Sequence, residues 1–299
     1  MNMSETIRLF HLPFSFMLPQ RVAIEKGYFA AEGLDATLVT RDRSSVDWKY
    51  IPADERLTQE YDVDIYPICK WESIKRTWEM DDGKVVANGT FSDLPYRVFV
   101  RPESDIETPG DLAGVPVGVN RRTGQEYTVM RALDPHVDDR DIVLEHHGLP
   151  IDRLRALQEG NVDAISLLEP QSALADRLGF RSVLEFENHI GIVGADTLDE
   201  HRLSAFLNAY GRAAKEINRN PSAYREAYLE MLFDDMKEEP NLFDGVSVEE
   251  LAATIDVPRY KQPEPVDPDA LASHLEWMKH HQLIDSNATV QEIVASSRT

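Results

Sequence analysis

A short polar run, Asn120-Arg121-Arg122-Thr123-Gly124-Gln125, is the segment of this chain best suited to bind an anion. It follows the predicted strand Val115–Val119 and opens a predicted helix over 123–133. The first N–H groups of a helix have no partner within it, and the helix dipole is positive at that end. The run therefore predicts a site for a sulfonate, carboxylate or phosphate, which the two arginines would reinforce. The alternative is an ordinary helix start with two solvated arginines.

Other polar and aromatic side chains follow predicted strands elsewhere in the chain. Ligands of open parallel sheets bind at the carboxyl ends of the strands, so these side chains are candidates to face one ligand. Three of them are aromatic, which favours a ligand with a flat or apolar part because aromatic faces stack. The candidates are His11, Phe14, Ser15, Asp47, Trp48, Tyr66, Glu169 and His189.

Glu169 has two interpretations. It follows the predicted buried strand Val162–Leu168, so its carboxylate could accept hydrogen bonds from an amine or an aminopyrimidine. It could equally cap the helix predicted to begin near Ser172.

The sequence offers little for metal or cofactor chemistry. It contains no P-loop, GxGxxG, HExxH or GxSxG motif. His146-His147 is an adjacent pair, which does not share a helix face or a strand side, so zinc is not expected there. His280-His281 is predicted to lie in solvent at a helix end, interacting with its dipole. We therefore predict no metal and no cofactor.

Composition limits the classes of partner. The 299 residues carry a net charge of −22, which argues against nucleic acid because cations supply most of that affinity. Such acidity is typical of a very soluble protein and favours a halophilic source, where salt screens the repulsion. No run approaches the roughly 18 apolar residues of a membrane helix. We expect a monomer that does not insert into a membrane.

The N-terminus and the cysteine content indicate a compartment. Met1–Thr6 runs directly into the first predicted strand without the features of a signal peptide or a lipid-accepting cysteine. The single cysteine, Cys69, excludes an internal disulfide and fits a reducing compartment. We therefore expect a cytoplasmic protein, or a periplasmic or cell-surface one if the true start lies upstream.

The first 40 residues predict a strand, a helix and a second strand. Ile7–Phe10 is a short apolar strand, and the helix that follows ends at Lys26-Gly27, a cation followed by a glycine suited to a left-handed cap. Gly33 precedes the alternating strand Leu34–Val39. This unit is the building block of a parallel sheet, so the fold class is α/β.

The amino-acid sequence of this unit also resembles that of a known protein family. The phrase KGYF-x-x-EGLD at 26–35 is similar to that of the solute-binding proteins of the nitrate, sulfonate, taurine and thiamine-pyrimidine group. The phrases at 106–114 and 160–164 resemble the same family. The resemblance implies a periplasmic-binding-protein type 2 fold. Its first lobe would span 1–98 plus 196–299, its second 99–195, and the ligand cleft would lie between them.

The resemblance also implies a function. Such proteins bind one small solute and deliver it to an ABC permease, here a partly anionic sulfonate, carboxylate or pyrimidine-like molecule. The alternative is a cytoplasmic enzyme on the same scaffold, similar to the desulfinases, decarboxylases or pyrimidine synthases but without their known catalytic residues. Desulfinases of this group carry a nucleophilic cysteine and a histidine where this chain has Leu12 and Asp47, and the pyrimidine-forming synthases carry a lysine and a histidine roughly where it has Ile68 and Glu72. Only Cys69, at a different place, would offer a thiol, and a buried structural role is expected for it.

Overall fold

The computed structural model describes residues 5–40, 55–88, 95–187, 189–243 and 245–295. The predicted ligand-binding residues Asp47 and Trp48 lie outside these ranges. The strands are β1 Glu5–His11, β2 Leu34–Thr40, β3 Ile65–Cys69, β4 Lys84–Asn88, β5 Tyr96–Val100, β6 Pro116–Val119, β7 Val143–His146, β8 Ala164–Leu167, β9 Arg181–Phe186 and β10 Ile190–Gly194. The helices are α1 Leu18–Glu25, α2 Tyr28–Ala31, α3 Leu57–Glu60, α4 Lys70–Glu79, α5 Gly124–Leu133, α6 Pro150–Gln158, α7 Gln171–Arg177, α8 Glu200–Arg219, α9 Arg225–Glu238, α10 Val248–Thr254, α11 Pro268–His280 and α12 Val290–Ile293.

The strands form two five-stranded sheets with the same plan. Their orders are β2-β1-β3-β10-β4 and β7-β6-β8-β5-β9. In the first sheet β1 runs parallel to β2 and β3, whereas β10 is antiparallel to β3 and β4. In the second sheet β6 runs parallel to β7 and β8, whereas β5 is antiparallel to β8 and β9. The two-lobed α/β fold predicted from the sequence is confirmed.

The fourth strand in each order is β10 in the first sheet and β5 in the second. In both sheets it is the strand that the chain forms when it arrives from the other lobe. The chain leaves the first sheet after β4 and enters the second at β5, and it returns between β9 and β10. The second lobe is thus built from about residue 95 to residue 187. The predicted division at 98 and 195 differs because it assigns β10 to the second lobe.

The opening unit forms as its residues predict. Helix α1 ends at Glu25, and Gly27 takes a left-handed conformation with φ of 67°. This conformation lets the chain turn into α2, which a residue with a Cβ would resist. Strand β2 then pairs with β1 in parallel register from Glu5–Leu34 to His11–Thr40.

Of the three buried apolar clusters among the described residues, one belongs to the second lobe alone, one joins Tyr127 of α5 to residues of the first lobe, and the third contains residues of both lobes. The third includes Leu9 of β1 and Ile165 of β8, both fully buried. Shared apolar burial of this kind stabilises the lobes in contact with one another. None of the helices described is long and apolar enough to cross a bilayer.

Candidate functional site

A cavity of about 120 Å³ lies between the two lobes. Its volume is near that of a cavity that holds a benzene-sized molecule. The first lobe contributes Phe14, Phe16, Met17, Pro67, Ile68, Cys69, Glu72 and Arg76, and the second contributes Tyr96, Asn120, Thr123, Gly124, Gln125, Leu149, Pro150, Arg153 and Leu168. Four of the residues in the predicted polar run are therefore brought to one cavity, together with Phe14.

The N-terminus of α5 opens onto this cavity. The Thr123 hydroxyl caps the helix, accepting a hydrogen bond from the Gln125 N–H at 3.3 Å and donating one to the Asn120 carbonyl at 2.7 Å. The side chain of Asn120 is buried, and its Oδ1 atom has no hydrogen-bond partner among the described residues. This end of the cavity thus combines a positive helix terminus with a buried amide oxygen to which no described residue donates.

Gly124 sets how closely the lobes approach at this point. A Cβ atom at this position would overlap the Cβ and Sγ atoms of Cys69 across the cleft. The absence of a side chain therefore allows the start of α5 to pack directly on the start of α4.

Arg153 is the main charged group of the second lobe's wall. Its side chain is fully buried, and its Nε and Nη1 atoms donate to the backbone carbonyls of Ser166 (2.8 Å) and Gly148 (2.6 Å). No carboxylate of the described residues forms an ion pair with it, and its Nη2 atom has no partner among them. Burial lowers the pKa of Arg153 to about 9, opposed by Tyr96 and Asp152, so the guanidinium stays charged at neutral pH.

The first lobe places a buried ion pair against the same cavity. Glu72 and Arg76 are one turn apart on α4, with 2.9 Å between Oε1 and Nε and side chains that are 3% and 1% exposed. Arg76 also donates to the Glu55 carbonyl. Burial raises the pKa of Glu72 to about 7, and the Arg76 charge opposes this rise. Glu72 can therefore gain or lose a proton near neutral pH.

The remaining wall is apolar. Phe14 and Phe16 stack with their ring centroids 5.4 Å apart, and Met17, Pro67 and Ile68 lie beside them. These side chains suit the hydrocarbon or aromatic part of a ligand, since pockets for small molecules combine apolar walls with a few polar groups.

Two of the predicted ligand-binding residues lie in the interior of the first lobe instead of lining the cavity. The Tyr66 side chain is fully buried, and its hydroxyl donates to Asp82 Oδ2 at 3.0 Å. His11 is buried with its Nδ1 atom 3.0 Å from the Gln20 amide, and burial followed by the Arg21 charge lowers its pKa to about 4. Both rings serve packing and internal hydrogen bonds here.

Ser15 and Glu169 join the lobes to one another. The Ser15 hydroxyl donates to the Glu169 carbonyl at 3.1 Å. The Glu169 carboxylate accepts from Arg97 at 3.2 Å and from the Ala173 N–H at 3.3 Å. This second contact agrees with the capping interpretation of Glu169. Burial raises the pKa of this carboxyl, with Arg97 opposing.

Arg121 and His189 lie away from the cavity lining. The Arg121 side chain is 55% exposed and pairs with Glu126 at 2.9 Å. His189 is 45% exposed, and burial followed by the Lys70 charge lowers its pKa to about 4.

Cys69 lines the cavity as a thiol. Burial raises its pKa, and its Sγ atom lies 3.7 Å from the Thr128 hydroxyl. Nucleophilic cysteines are held as thiolates by a lowered pKa, which this environment does not provide.

Arg153 and the Glu72–Arg76 pair belong to the site, and the sequence did not reveal them as site residues. Arg153 lies inside the first turns of α6, and Glu72 and Arg76 look like an exposed i,i+4 pair on a helix. On α4 the apolar residues Trp71, Ile74 and Trp78 share one helix face and the Glu72–Arg76 pair lies on another, so hydrophobic periodicity gave no signal for its burial.

No family model matches the chain, and no curated protein matches it. Solved structures do match. The periplasmic aliphatic sulphonate binding protein SsuA from Escherichia coli is 14% identical with a TM-score of 0.75, and the match covers 97% of this chain and 92% of that one. The alkanesulfonate-binding protein SsuA from Xanthomonas axonopodis pv. citri, bound to MOPS, is 13% identical with a TM-score of 0.70, covering 97% and 98%.

The desulfurization enzyme DSZB is 15% identical with a TM-score of 0.58, covering 97% and 96%. At these identities the likeness concerns the fold and not the ligand or the chemistry. The chain therefore has the two-lobed α/β fold of the periplasmic binding proteins, with a cavity between the lobes.

Proposed function

We propose that this protein binds a small organic anion between its lobes, and that Arg153 holds the anionic group. The carrying observation is a fully buried guanidinium that faces the cavity without a carboxylate partner in the part of the chain that the structure describes. A buried charge is costly unless it is paired, so an anion in the cavity would compensate it. A planar guanidinium also matches the oxygens of a sulfonate or carboxylate.

The surroundings of Arg153 narrow the ligand. The N-terminus of α5 supplies further polar contacts to the anion, and the Asn120 Oδ1 atom, an acceptor without a partner among the described residues, suits an N–H or O–H group of the ligand. The rings of Phe14 and Phe16 suit an apolar body of modest size, given a cavity of about 120 Å³. Two matched structures are of sulfonate-binding proteins, which makes a short alkanesulfonate or arylsulfonate the first class to test.

The proposal is tested by calorimetry on matched ligands and variants. We expect a short sulfonate to bind the wild type, and its neutral sulfonamide analogue to bind at least about 30-fold more weakly. Arg153→Gln should weaken sulfonate binding by about 100-fold, because truncating one partner of a buried charge pair costs about 2–5 kcal/mol. Arg140→Gln is the control, since its 82% exposed side chain lies on the same lobe. Equal affinity for the neutral analogue, or full affinity in Arg153→Gln, would contradict the proposal.

We further propose that the protein serves as the solute-binding component of an ABC importer, with a permease as its partner. The two-lobed fold and the interlobe anion site support this role. A cytoplasmic carrier or sensor with the same site is the alternative. Immunoblots of fractions from the source cells separate them: a periplasmic or cell-surface location supports the importer, and a cytoplasmic location supports the carrier.

The enzyme alternative receives less support from the site. The thiol that lines the cavity, Cys69, has a raised pKa and packs against Gly124. Mass spectrometry of the protein after incubation with an arylsulfinate tests this point. Release of sulfite, or a covalent adduct on Cys69, would favour the enzyme.

A further inference from the structure

A cluster of histidine and carboxylate side chains lies away from the cavity, where the end of α11 meets the segment after α5. Asp139, His280 and His281 each place one ligand-type atom there, and these atoms lie within 4.8 Å of one another. Asp139 belongs to the second lobe, and the two histidines belong to the first. The cluster therefore joins the lobes.

His281 does not lie in solvent as the sequence predicted. Its side chain is 3% exposed, and its ring packs on Trp277 with centroids 4.5 Å apart. The buried ring faces carboxylates on both sides: Nε2 lies 3.7 Å from Asp134 Oδ1, and Nδ1 lies 3.4 Å from Asp139 Oδ2.

This arrangement is unfavourable for a neutral histidine, whereas a doubly protonated ring would donate to both carboxylates. A neutral imidazole has one N–H donor, so one of its two nitrogens would direct a lone pair at a carboxylate. Both separations also exceed the usual N–H···O distance of about 2.7–3.2 Å. A proton or a metal ion on that nitrogen removes the conflict, and the His280 ligand atom within 4.8 Å adds a third ligand that a metal ion would use and a proton would not.

We propose that Asp139, His280 and His281 bind a divalent transition-metal ion of the zinc type that bridges the two lobes. Metal bonds of about 2.0–2.2 Å to each atom place tetrahedral ligands about 3.3–3.6 Å apart, a range that includes the 3.4 Å between His281 Nδ1 and Asp139 Oδ2. Two imidazoles and one carboxylate favour Zn²⁺, Co²⁺ or Ni²⁺ over Mg²⁺ or Ca²⁺. The exposed positions of Asp139 and His280 leave a fourth place for water.

Asp134 orients the metal-binding ring. A histidine that binds metal through one nitrogen usually donates its other N–H to a carboxylate. Asp134 is suited to accept from His281 Nε2, since it is itself held by the Trp277 indole N–H at 3.0 Å and by Arg131 at 2.9 Å.

A metal ion at this site would affect the contact between the two lobes. Because its ligands come from both lobes, the metal site is complete only when the two lobes are in contact. A ligand that binds one state alone shifts the equilibrium toward it. The bound ion would therefore hold the lobes together independently of any solute in the cavity.

The test uses the full chain, stripped with a chelator and titrated with Co²⁺ as a visible-absorbing probe and then with Zn²⁺. We expect one tightly bound Co²⁺ with an intense tetrahedral spectrum that Zn²⁺ displaces. His280→Ala and Asp139→Asn, both at exposed positions, should each weaken binding at least about tenfold, as removal of a ligand from a three-residue site requires. His201→Ala, an exposed histidine on α8 of the first lobe, is the control and should bind as the wild type does.

Small-angle scattering of the same samples measures the radius of gyration, which reports how close the two lobes are to one another. Zn²⁺ should lower the radius of gyration of the wild type and leave that of His280→Ala unchanged. An octahedral, weak Co²⁺ signal, or equal affinities in the wild type, His280→Ala and Asp139→Asn, would overturn the proposal. Detection of a doubly protonated His281 ring by NMR in excess Zn²⁺ would also overturn it, because a proton would then occupy the place of the metal.

Discussion

Arg76 and Arg153 face the same cavity from opposite lobes, and both are almost completely buried. They differ in their partners. Arg76 forms an ion pair with Glu72 on its own helix, whereas Arg153 donates only to backbone carbonyls and keeps Nη2 without a partner among the described residues.

The difference separates a structural charge from a ligand-binding one. A buried charge that is paired with an opposite charge of the protein does not need an anionic ligand to compensate it. A buried charge without a counter-ion carries a desolvation cost that an anionic ligand relieves, so it favours the bound state. The first lobe thus supplies a neutral wall, and the second supplies the net positive charge of the site.

Substitution of each arginine by methionine tests this difference most directly. In ligand-free protein Arg76→Met leaves Glu72 buried without its partner and should lower the free energy of unfolding by about 3–5 kcal/mol at pH 8. Arg153→Met removes an unpaired charge at the expense of hydrogen bonds to two carbonyls, so a change of about 1 kcal/mol or less is expected. Denaturant unfolding measures both, and equal losses would show that the two charges have the same role.

Glu72 should make stability depend on pH. Its folded-state pKa of about 7 lies above the ordinary value of 4.5, so between these values the folded protein holds a proton that the unfolded chain has released. The contribution of Glu72 therefore stabilises the fold at low pH and is lost as pH rises toward 7, by about 3 kcal/mol. Unfolding free energies at pH 5 and 8 should differ less in Glu72→Gln than in the wild type. Glu79→Gln, on the same helix with a side chain that is 37% exposed, is the control, and a slope that survives in Glu72→Gln would refute the assignment.

Gly124→Ala tests whether ligand binding requires the close contact between the lobes at Gly124 and Cys69. Its Cβ would overlap Cys69, so the lobes should separate locally and sulfonate affinity should fall by about 10-fold, or roughly 1.4 kcal/mol. Cys69→Gly in the same protein removes the overlapping atoms and should restore most of the affinity. Calorimetry on the two single variants and the double variant measures this coupling. Additive effects would show that the approach of Cys69 to Gly124 does not matter.

Arg121→Ala should have the smallest effect. Its exposed pair with Glu126 is worth at most about 1 kcal/mol, as surface ion pairs usually are. We expect the sulfonate affinity to change by less than about threefold, which calorimetry resolves. A loss as large as that of Arg153→Gln would reassign the anion site to the polar run at the start of α5.

Much of the fold could be predicted because its signals are local. The left-handed Gly27 and the alternation over Leu34–Val39 indicate a helix end and a strand without knowledge of the rest of the chain. The start of α5 at Thr123 could be predicted for the same reason, since a cap and a helix terminus are made by neighbouring residues. Four residues of that polar run are accordingly among the predicted residues that the structure brings to the cavity, together with Phe14.

Residues that follow other strands could not be assigned in this way. A strand end restricts where a side chain begins and leaves open whether it turns toward the cleft or into the lobe. Tyr66 turns into the interior to reach Asp82, and Glu169 is engaged by Arg97 from β5. These partners are distant in sequence, so the spacing of residues could not reveal them.

The sequence by itself therefore determined the α/β units, their repetition in two lobes, and a helix terminus suited to an anion. Tertiary structure alone decided which charges are compensated. Arg153 and Arg76 are alike as residue types, and His281 looks like a solvated helix end, until burial and distant partners are known. The physical reason is that hydrogen-bond periodicity and turn chemistry act between neighbours, whereas desolvation and charge pairing depend on everything that the fold brings around a group.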